Sequence, residues 1–159
     1  MSDATFEDGS EGPLNVGAAD AEDLKVLSAL AQDAVLPITE MSWQASAGRF
    51  AMLINRFRWE DQAAAENRSR PYERVQSLLV VNSVVGVASQ GVDRKDKDMV
   101  LSLLAIEFEP GEDGGGQILM TLAGDGGLRL SVEAIDVSLK DVTRPYRAPS
   151  GQAPHHPDQ

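Results

Sequence analysis

QILMTLAGDGGLRLSVEAIDVSLK, residues 117–140, decides how this chain folds. Its two apolar parts, 117–123 and 128–140, are separated by the Gly-Asp-Gly-Gly segment at 124–127, whose glycines suit the positive φ angles of a tight turn. After the turn, apolar and polar residues alternate, as along a strand with one buried face. The alternation slips by one residue near Ala134, which predicts a single β-bulge. A helix over the same residues fits the apolar pattern less well. We therefore expect an antiparallel hairpin here.

The chain before this hairpin is also dominated by β-like segments separated by turn residues. Residues 38–44 and 49–59 flank a small-residue turn and predict a first hairpin. Residues 74–92, rich in Val and Leu, are one long bent strand or two shorter ones. Residues 99–109 follow the polar loop DRKDKD at 93–98 and predict a second hairpin with the strand before that loop. The architecture expected is a mostly antiparallel β-sheet of hairpins.

One segment near the N-terminus has helical periodicity instead. Asp20 is an N-cap candidate, and the acidic residues after it favour the positive end of a helix dipole. Apolar residues then recur at helical spacing, namely Leu24, Leu27, Leu30, Ala31 and Ala34. Pro37 prevents much continuation. The fold class predicted is therefore α+β, with one N-terminal amphipathic helix, about Ala21 to Ala34, packed on the sheet.

The two ends of the chain differ from its middle. Residues 1–12 are acidic and small, and residues 145–159 hold four prolines, so we expect both to be disordered tails. A single α+β domain is expected over residues 13–144. The composition of the 159-residue chain, 42% hydrophobic and 25% charged, is ordinary for one globular domain.

Several function classes lack the residues they need. The chain contains no cysteine, and its two histidines, His155 and His156, stand together in the proline-rich tail, so thiol and Ser-His-Asp chemistry are excluded from the predicted domain. The glycine clusters lack the spacing of a phosphate-binding loop. We predict no catalytic residue, no metal and no cofactor. A carboxylate enzyme, using Glu107 and Glu109 on one strand face, is kept as a third alternative.

The charge of the chain restricts its partners and its location. A formal net charge of -11 disfavours binding to a phosphate backbone, so no nucleic-acid partner is expected. The first residues lack the basic start and apolar run of a secretory signal, and no stretch of about 18 apolar residues could span a membrane. We therefore expect a cytoplasmic protein with no membrane partner.

Against this acidic background, one segment is locally basic. Six of the 14 Lys and Arg residues fall between residues 49 and 74, against four acids. Arginines and tryptophan can hold a carboxylate or phosphate or anchor a protein interface, whereas surface pairing with nearby acids would contribute little. The candidate residues for an anion site or interface are Arg49, Arg56, Arg58, Trp59 and Arg74.

Three runs of sequence resemble one family. ADAEDLKVLSALAQDAV at 19–35, GRFAMLINRFRWED at 48–61 and MVLSLLAIEFEPGE at 99–112 are similar to alphaproteobacterial proteins known only as a domain of unknown function. The resemblance extends over about Leu14 to Val142. It implies a cytoplasmic bacterial protein and assigns no activity, cofactor or site residue.

The first functional hypothesis is a non-enzymatic interaction module. It would bind a protein partner or a second copy of itself through a sheet edge or through the surface of Arg56, Arg58 and Trp59. The second hypothesis is a module that binds a small carboxylate or phosphate anion with the same arginines.

Overall fold

The computed structural model describes residues 12–148 and 153–154. Within these residues the chain forms one antiparallel sheet, two α-helices and three short 3-10 segments. The helices are α1 (Ala21–Ala31) and α2 (Gln62–Asn67). The strands are β1 (Asn15–Ala18), β2 (Ala34–Pro37), β3 (Met41–Gln44), β4 (Arg49–Phe57), β5 (Glu73–Val81), β6 (Val84–Gln90), β7 (Val100–Pro110), β8 (Gly116–Leu122), β9 (Gly126–Val132), β10 (Val137–Asp141) and β11 (Tyr146–Arg147). The prediction of a mostly antiparallel sheet with few helices is confirmed.

The sheet runs in the order β1-β10-β5-β4-β2-β7-β8-β9-β6. One side of β4 pairs with β5 along most of its length. The other side pairs with β3 near the start of β4 and with β2 near its end. β4 therefore pairs with three other strands of the sheet.

Helix α1 begins where the sequence predicts and ends earlier. The Asp20 carboxylate accepts the backbone N–H of Asp23 at 2.8 Å, which caps the first turn. Leu24, Leu27 and Leu30 are buried against the sheet. The helix ends at Ala31 rather than Ala34, because Asp33 adopts a positive φ of 64° and Ala34 already belongs to β2. The second helix, α2, was not predicted.

One apolar core lies between α1 and the sheet. The helix contacts both β1, which begins the strand order, and β7, which lies far along it, so the sheet curves around α1. The Ser28 hydroxyl of the helix also accepts the backbone N–H of Ile106 in β7 at 2.8 Å. Fully buried apolar side chains from many strands fill the core, including Leu36, Met52, Leu79, Leu103 and Ile118.

Two predicted hairpins are present. β3 and β4 pair across a turn in which Gly48 has a φ of 62°. β8 and β9 pair across the turn that contains Gly124 and Asp125, at φ angles of 78° and 63°. Both turns use the left-handed region that glycine enters at little cost.

The hairpin predicted across residues 93–98 is wrong. β6 pairs with β9, and β7 pairs with β2 and β8, so the polar loop crosses from one strand to a distant place in the sheet. Residues 74–92 form the two shorter strands of the predicted alternatives, β5 and β6. The break lies at Ser83, whose φ is 59°.

The single bulged strand predicted over residues 128–140 is also wrong. β9 ends at Val132 and β10 begins at Val137. β9 lies beside β6 near one end of the strand order, and β10 lies beside β1 near the other. The slip in apolar alternation therefore marks a change of position in the sheet, because each strand buries its own alternate residues.

Most of the two predicted tails falls outside the described residues. Residues 1–11, 149–152 and 155–159 are not described, and His155 and His156 are among them. The described part of the C-terminal segment is structured: β11 pairs with the start of β5, and Ala148 is buried. The folded domain therefore reaches Ala148 rather than residue 144.

Candidate functional site

Arg56 lies at the centre of a buried charge network at the end of β4. Its side chain is fully buried, and its two terminal nitrogens donate to the two oxygens of Glu60 at 2.8 Å each. Arg56 Nη2 also donates to Asp141 Oδ1 at 2.9 Å, and Nε donates to Ser77 Oγ at 3.0 Å. Burial alone would lower the pKa of Arg56, but the hydrogen bonds and charges of Glu60 and Asp141 outweigh it and raise the pKa.

Asp141 connects this arginine to three other parts of the chain. Ser77 Oγ donates to Asp141 Oδ1 at 2.7 Å, and the backbone N–H of Leu14 donates to Asp141 Oδ2 at 2.8 Å. The contacts join β4, β5, β10 and the segment that enters β1. Because several donors satisfy each carboxylate oxygen, the charges are tolerated in the interior.

A second layer of ion pairs lies beside the first. Arg58 contacts the carboxylate of Glu73 through Nη1, and its Nη1 lies 3.6 Å from Asp61 Oδ2. Arg70 holds Asp61 bidentately, with Nη1 2.6 Å from Oδ2. Glu60, which binds Arg56, also lies 3.8 Å from Arg58 Nε, so the two layers share a carboxylate.

Each charged group of this buried charge network therefore has a partner of opposite sign within the network. It consists of three guanidinium groups, on Arg56, Arg58 and Arg70, and four carboxylates, on Glu60, Asp61, Glu73 and Asp141. Arg56 and Arg58 are 0% and 4% exposed. The prediction that Arg56 and Arg58 form an exposed binding surface is wrong, since both side chains are buried. The arginines pair with nearby acids, as the alternative interpretation expected, but in the interior.

The other predicted site residues are placed separately. Trp59 Nε1 donates to the carbonyl of Gln32 at 2.9 Å, and Arg74 Nε donates to Asn55 Oδ1 at 2.6 Å. Burial lowers the pKa of Arg74. Arg49 is exposed at the opposite end of β4, where Nε lies 3.3 Å from the side-chain oxygen of Asn82. Trp59 and Arg74 thus lie near the network, while Arg49 belongs to a different region.

That other region contains a concave site that the sequence did not predict. A cleft of about 280 Å³ lies between β3 and β6. We call it the edge cleft. Its walls combine seven apolar or aromatic side chains with three hydroxyls and two cations: Ile38, Met41, Trp43, Phe50, Val87, Val92 and Leu128, then Thr39, Ser42 and Ser89, then Arg94 and Lys97. A mostly apolar cavity with a few polar groups is typical of a binding site.

The cleft exists because β6 meets the β3–β4 hairpin only at its turn. The backbone N–H of Val84 donates to the carbonyl of Gly48 at 2.9 Å. A Cβ atom on Gly48 would lie 3.3 Å from the Val84 carbonyl oxygen. Beyond this contact, the described residues show no pairing between β3 and β6: β3 pairs with β4, and β6 pairs with β9. Each strand therefore keeps an open edge.

These two open edges lack two of the features that prevent pairing in natural sheets. Natural edge strands carry charges or proline that prevent another strand from adding to them. β3 reads MSWQ and β6 reads VVGVASQ, with no charged residue and no proline in either. Val85 is 63% exposed and Trp43 is 36% exposed. The register of β6 with β9 shifts between Val84 and Gly86, at Val85, and the later residues of β6 pair regularly with β9.

Sequence reasoning missed the cleft because it assigned β6 to a hairpin with β7. The position of β6 depends on pairing with β9, about 40 residues later. One local signal was available: the run VVGVASQ is free of charge in a chain that is 25% charged. That signal shows that neither face of the strand carries a charge, but it does not identify the strand opposite.

The two carboxylates of the third alternative, a carboxylate enzyme, lie on one strand. Glu107 and Glu109 are both exposed on β7. In the parts of the chain that the structure describes, no group of three or more His, Cys, Asp or Glu side chains could hold a metal ion. Neither described helix is long and apolar enough to cross a membrane.

Fold and site together define an α+β protein with a curved antiparallel sheet. It has a buried charge network whose groups pair with one another and an open, mostly apolar cleft. The model of the family described as "Protein of unknown function (DUF2948)" matches residues 14–156. The chain belongs to this family. No curated protein and no solved structure matches it.

Proposed function

We propose that this protein is a non-enzymatic interaction module whose binding surface is the edge cleft. A partner adds an extended segment to an open strand edge and places apolar side chains in the cleft. The observation that supports this proposal is the pair of uncharged open edges on either side of an apolar cavity.

Strand addition uses groups that the fold leaves available. The open edges of β3 and β6 present backbone N–H and C=O groups, which give an added strand its affinity. Side chains of that strand point alternately to its two faces, so one set reaches the apolar walls that include Phe50 and Leu128. Burial of apolar surface contributes roughly 25 cal/mol per Å² removed from water.

A matched pair of valine substitutions tests the proposal. Val85 on β6 and Val100 on β7 are each 63% exposed, but only Val85 lies on an open edge strand. Val85→Lys places a charge on that edge and should abolish recovery of the partner from the native host. Val100→Lys should recover the partner as the unchanged protein does. Equal recovery by the two variants would contradict binding at the edge.

Hydrogen exchange then locates the contact. When the recovered partner is added back, backbone amides in β3 or β6 should exchange more slowly, because they become hydrogen-bonded. Protection confined to β1 and β10, at the other end of the strand order, would contradict the proposed surface.

Self-association is one outcome of the same experiment. Copies that each carry a net charge of -11 repel one another, which favours a different chain as the partner. Native mass spectrometry of the gently purified protein distinguishes a second copy from a different protein by mass.

A small-anion module is the second candidate, at a site other than Arg56. A groove of about 500 Å³ is lined by Arg68 and Arg144, among others. Both are exposed, and the described residues include no ion pair to either one. Arg58 and Arg70 also line this groove, but their guanidinium groups already contact carboxylates.

Calorimetric titration with inorganic phosphate and with citrate tests this candidate. Binding that disappears in the Arg68→Glu/Arg144→Glu variant and persists in Lys25→Glu/Lys140→Glu would support it. Both pairs are exposed, and both variants change the net charge equally. Binding that is absent in the unchanged protein, or equal in the two variants, would contradict it.

A further inference from the structure

The loop between β6 and β7 brings two cations to the edge cleft. Arg94 and Lys97 both line it, and none of the twelve lining residues is acidic. We propose that the edge cleft recognises an acidic side chain adjacent to apolar residues in the partner's extended segment. This inference rests on the proposed function and adds the chemistry of the partner.

Two of the loop's three acids accept backbone N–H groups within the loop. Asp93 Oδ1 accepts the backbone N–H of Lys95 at 3.0 Å, and Asp96 Oδ1 accepts the backbone N–H of Asp98 at 3.2 Å. Such local hydrogen bonds are typical of aspartate in turns. They stabilise the loop that carries the two cations.

Arg94 and Lys97 remain available to a ligand. Both are exposed, and the described part of the chain contains no ion pair to either. This differs from the buried charge network, where carboxylates already hold each guanidinium group. A cation without an internal partner gains more from an incoming carboxylate, since no existing pair has to be broken.

The surroundings strengthen this recognition. Apolar walls beside the two cations provide contact surface for the apolar neighbours of the acidic side chain. The remainder of the protein is strongly acidic and repels acidic segments. The two cations therefore favour a segment that carries an acidic side chain.

Selection from a random ten-residue peptide library against the full chain provides the test. The peptides enriched should combine apolar residues with at least one Asp or Glu. In the Arg94→Glu/Lys97→Glu variant, the enrichment should change from acidic to basic peptides. The control variant Lys25→Glu/Lys140→Glu has the same net charge and should continue to select acidic peptides.

The affinity of one enriched peptide gives the size of the effect. In a Trp59→Phe variant the emission of Trp43, a wall of the cleft, reports binding. Replacing the acidic residue of the peptide with its amide should weaken binding about tenfold, as expected for loss of one charge-assisted hydrogen bond. The affinity should also decrease as salt concentration rises.

Failure of this inference differs from failure of the proposed function. Enriched peptides without acidic bias, whose binding Val85→Lys still abolishes, would overturn the recognition of acid and leave strand addition in place. Enriched peptides that bind Val85→Lys and the unchanged protein equally would overturn strand addition. Binding of octanoate but of no peptide would show that the cleft holds a small amphipathic acid instead, which would overturn both.

Discussion

The two ends of β4 differ in how completely their polar groups are satisfied. At the C-terminal end, Arg56 is buried and its guanidinium group contacts two carboxylates and a hydroxyl. At the N-terminal end, Phe50 forms part of an apolar cleft whose flanking strands have open edges. At the C-terminal end, the charged groups have partners of opposite sign within the protein. At the N-terminal end, the edges of β3 and β6 remain unpaired among the described residues, and we propose that a partner pairs with them.

The largest effect is expected from removal of Arg56. Arg56→Met leaves Glu60 and Asp141 buried without their cation and should reduce the free energy of unfolding by about 3 to 5 kcal/mol. Urea denaturation measures this change. Arg49→Met, an exposed substitution on the same strand, should change stability by no more than about 0.5 kcal/mol. Similar effects of the two substitutions would show that the network is not a structural centre.

A smaller loss of stability is expected from a substitution of Gly48, in the β3–β4 turn beside the edge cleft. Gly48→Ala forces a side chain into the left-handed region, at φ 62°, and close to the Val84 carbonyl. We expect a loss of about 1 to 2 kcal/mol and altered emission from Trp43. Gly17→Ala on β1, where φ is not positive, provides the comparison. Unchanged stability and emission in Gly48→Ala would contradict the proposed role of this turn.

At the open edge of β6, we expect the Val85→Lys substitution to abolish partner binding and to leave the free energy of unfolding almost unchanged. Val85→Lys changes an exposed side chain and should alter the free energy of unfolding by no more than about 0.5 kcal/mol, although it abolishes partner binding. Denaturation and partner recovery are measured on the same preparation. A variant that loses partner binding because it is unfolded would not support the edge as the binding surface.

The smallest effect is a change in the pKa of Tyr72. Tyr72 donates to Glu66 at 2.6 Å, and this hydrogen bond, followed by desolvation and the charge of Glu66, raises the pKa of Tyr72 above its ordinary value of about 10. The stabilisation is present below the ordinary pKa and is lost as pH rises through the raised pKa. Titration of tyrosinate absorbance should show the Tyr72 pKa decrease in Glu66→Gln. An unchanged titration would contradict the assigned cause.

Local patterns predicted what is local in this fold. The cap at Asp20, the β3–β4 hairpin and the β8–β9 hairpin each depend on residues close together in sequence. The pairing of β6 with β9 depends on residues about 40 positions apart, and no local pattern determines such a pairing. The missed cleft follows from that pairing.

The arginines also show that local sequence patterns do not determine long-range contacts. Their abundance between residues 49 and 74 was visible, but the acid that completes the Arg56 pair, Asp141, lies 85 residues later. The sequence could not show that the side chains of Glu60 and Asp141 both contact Arg56 in the interior. Charge composition alone therefore does not distinguish a binding surface from a buried network.

Photocrosslinking at the two ends of the molecule tests the central claim most directly. Benzoylphenylalanine is placed at Ser89 in the edge cleft or at Arg68 beside the charge network, both of them exposed positions, and the cells of the native host are irradiated. The account predicts a protein adduct from Ser89, and its loss when Val85→Lys is added. An adduct from Arg68 with none from Ser89 would contradict it.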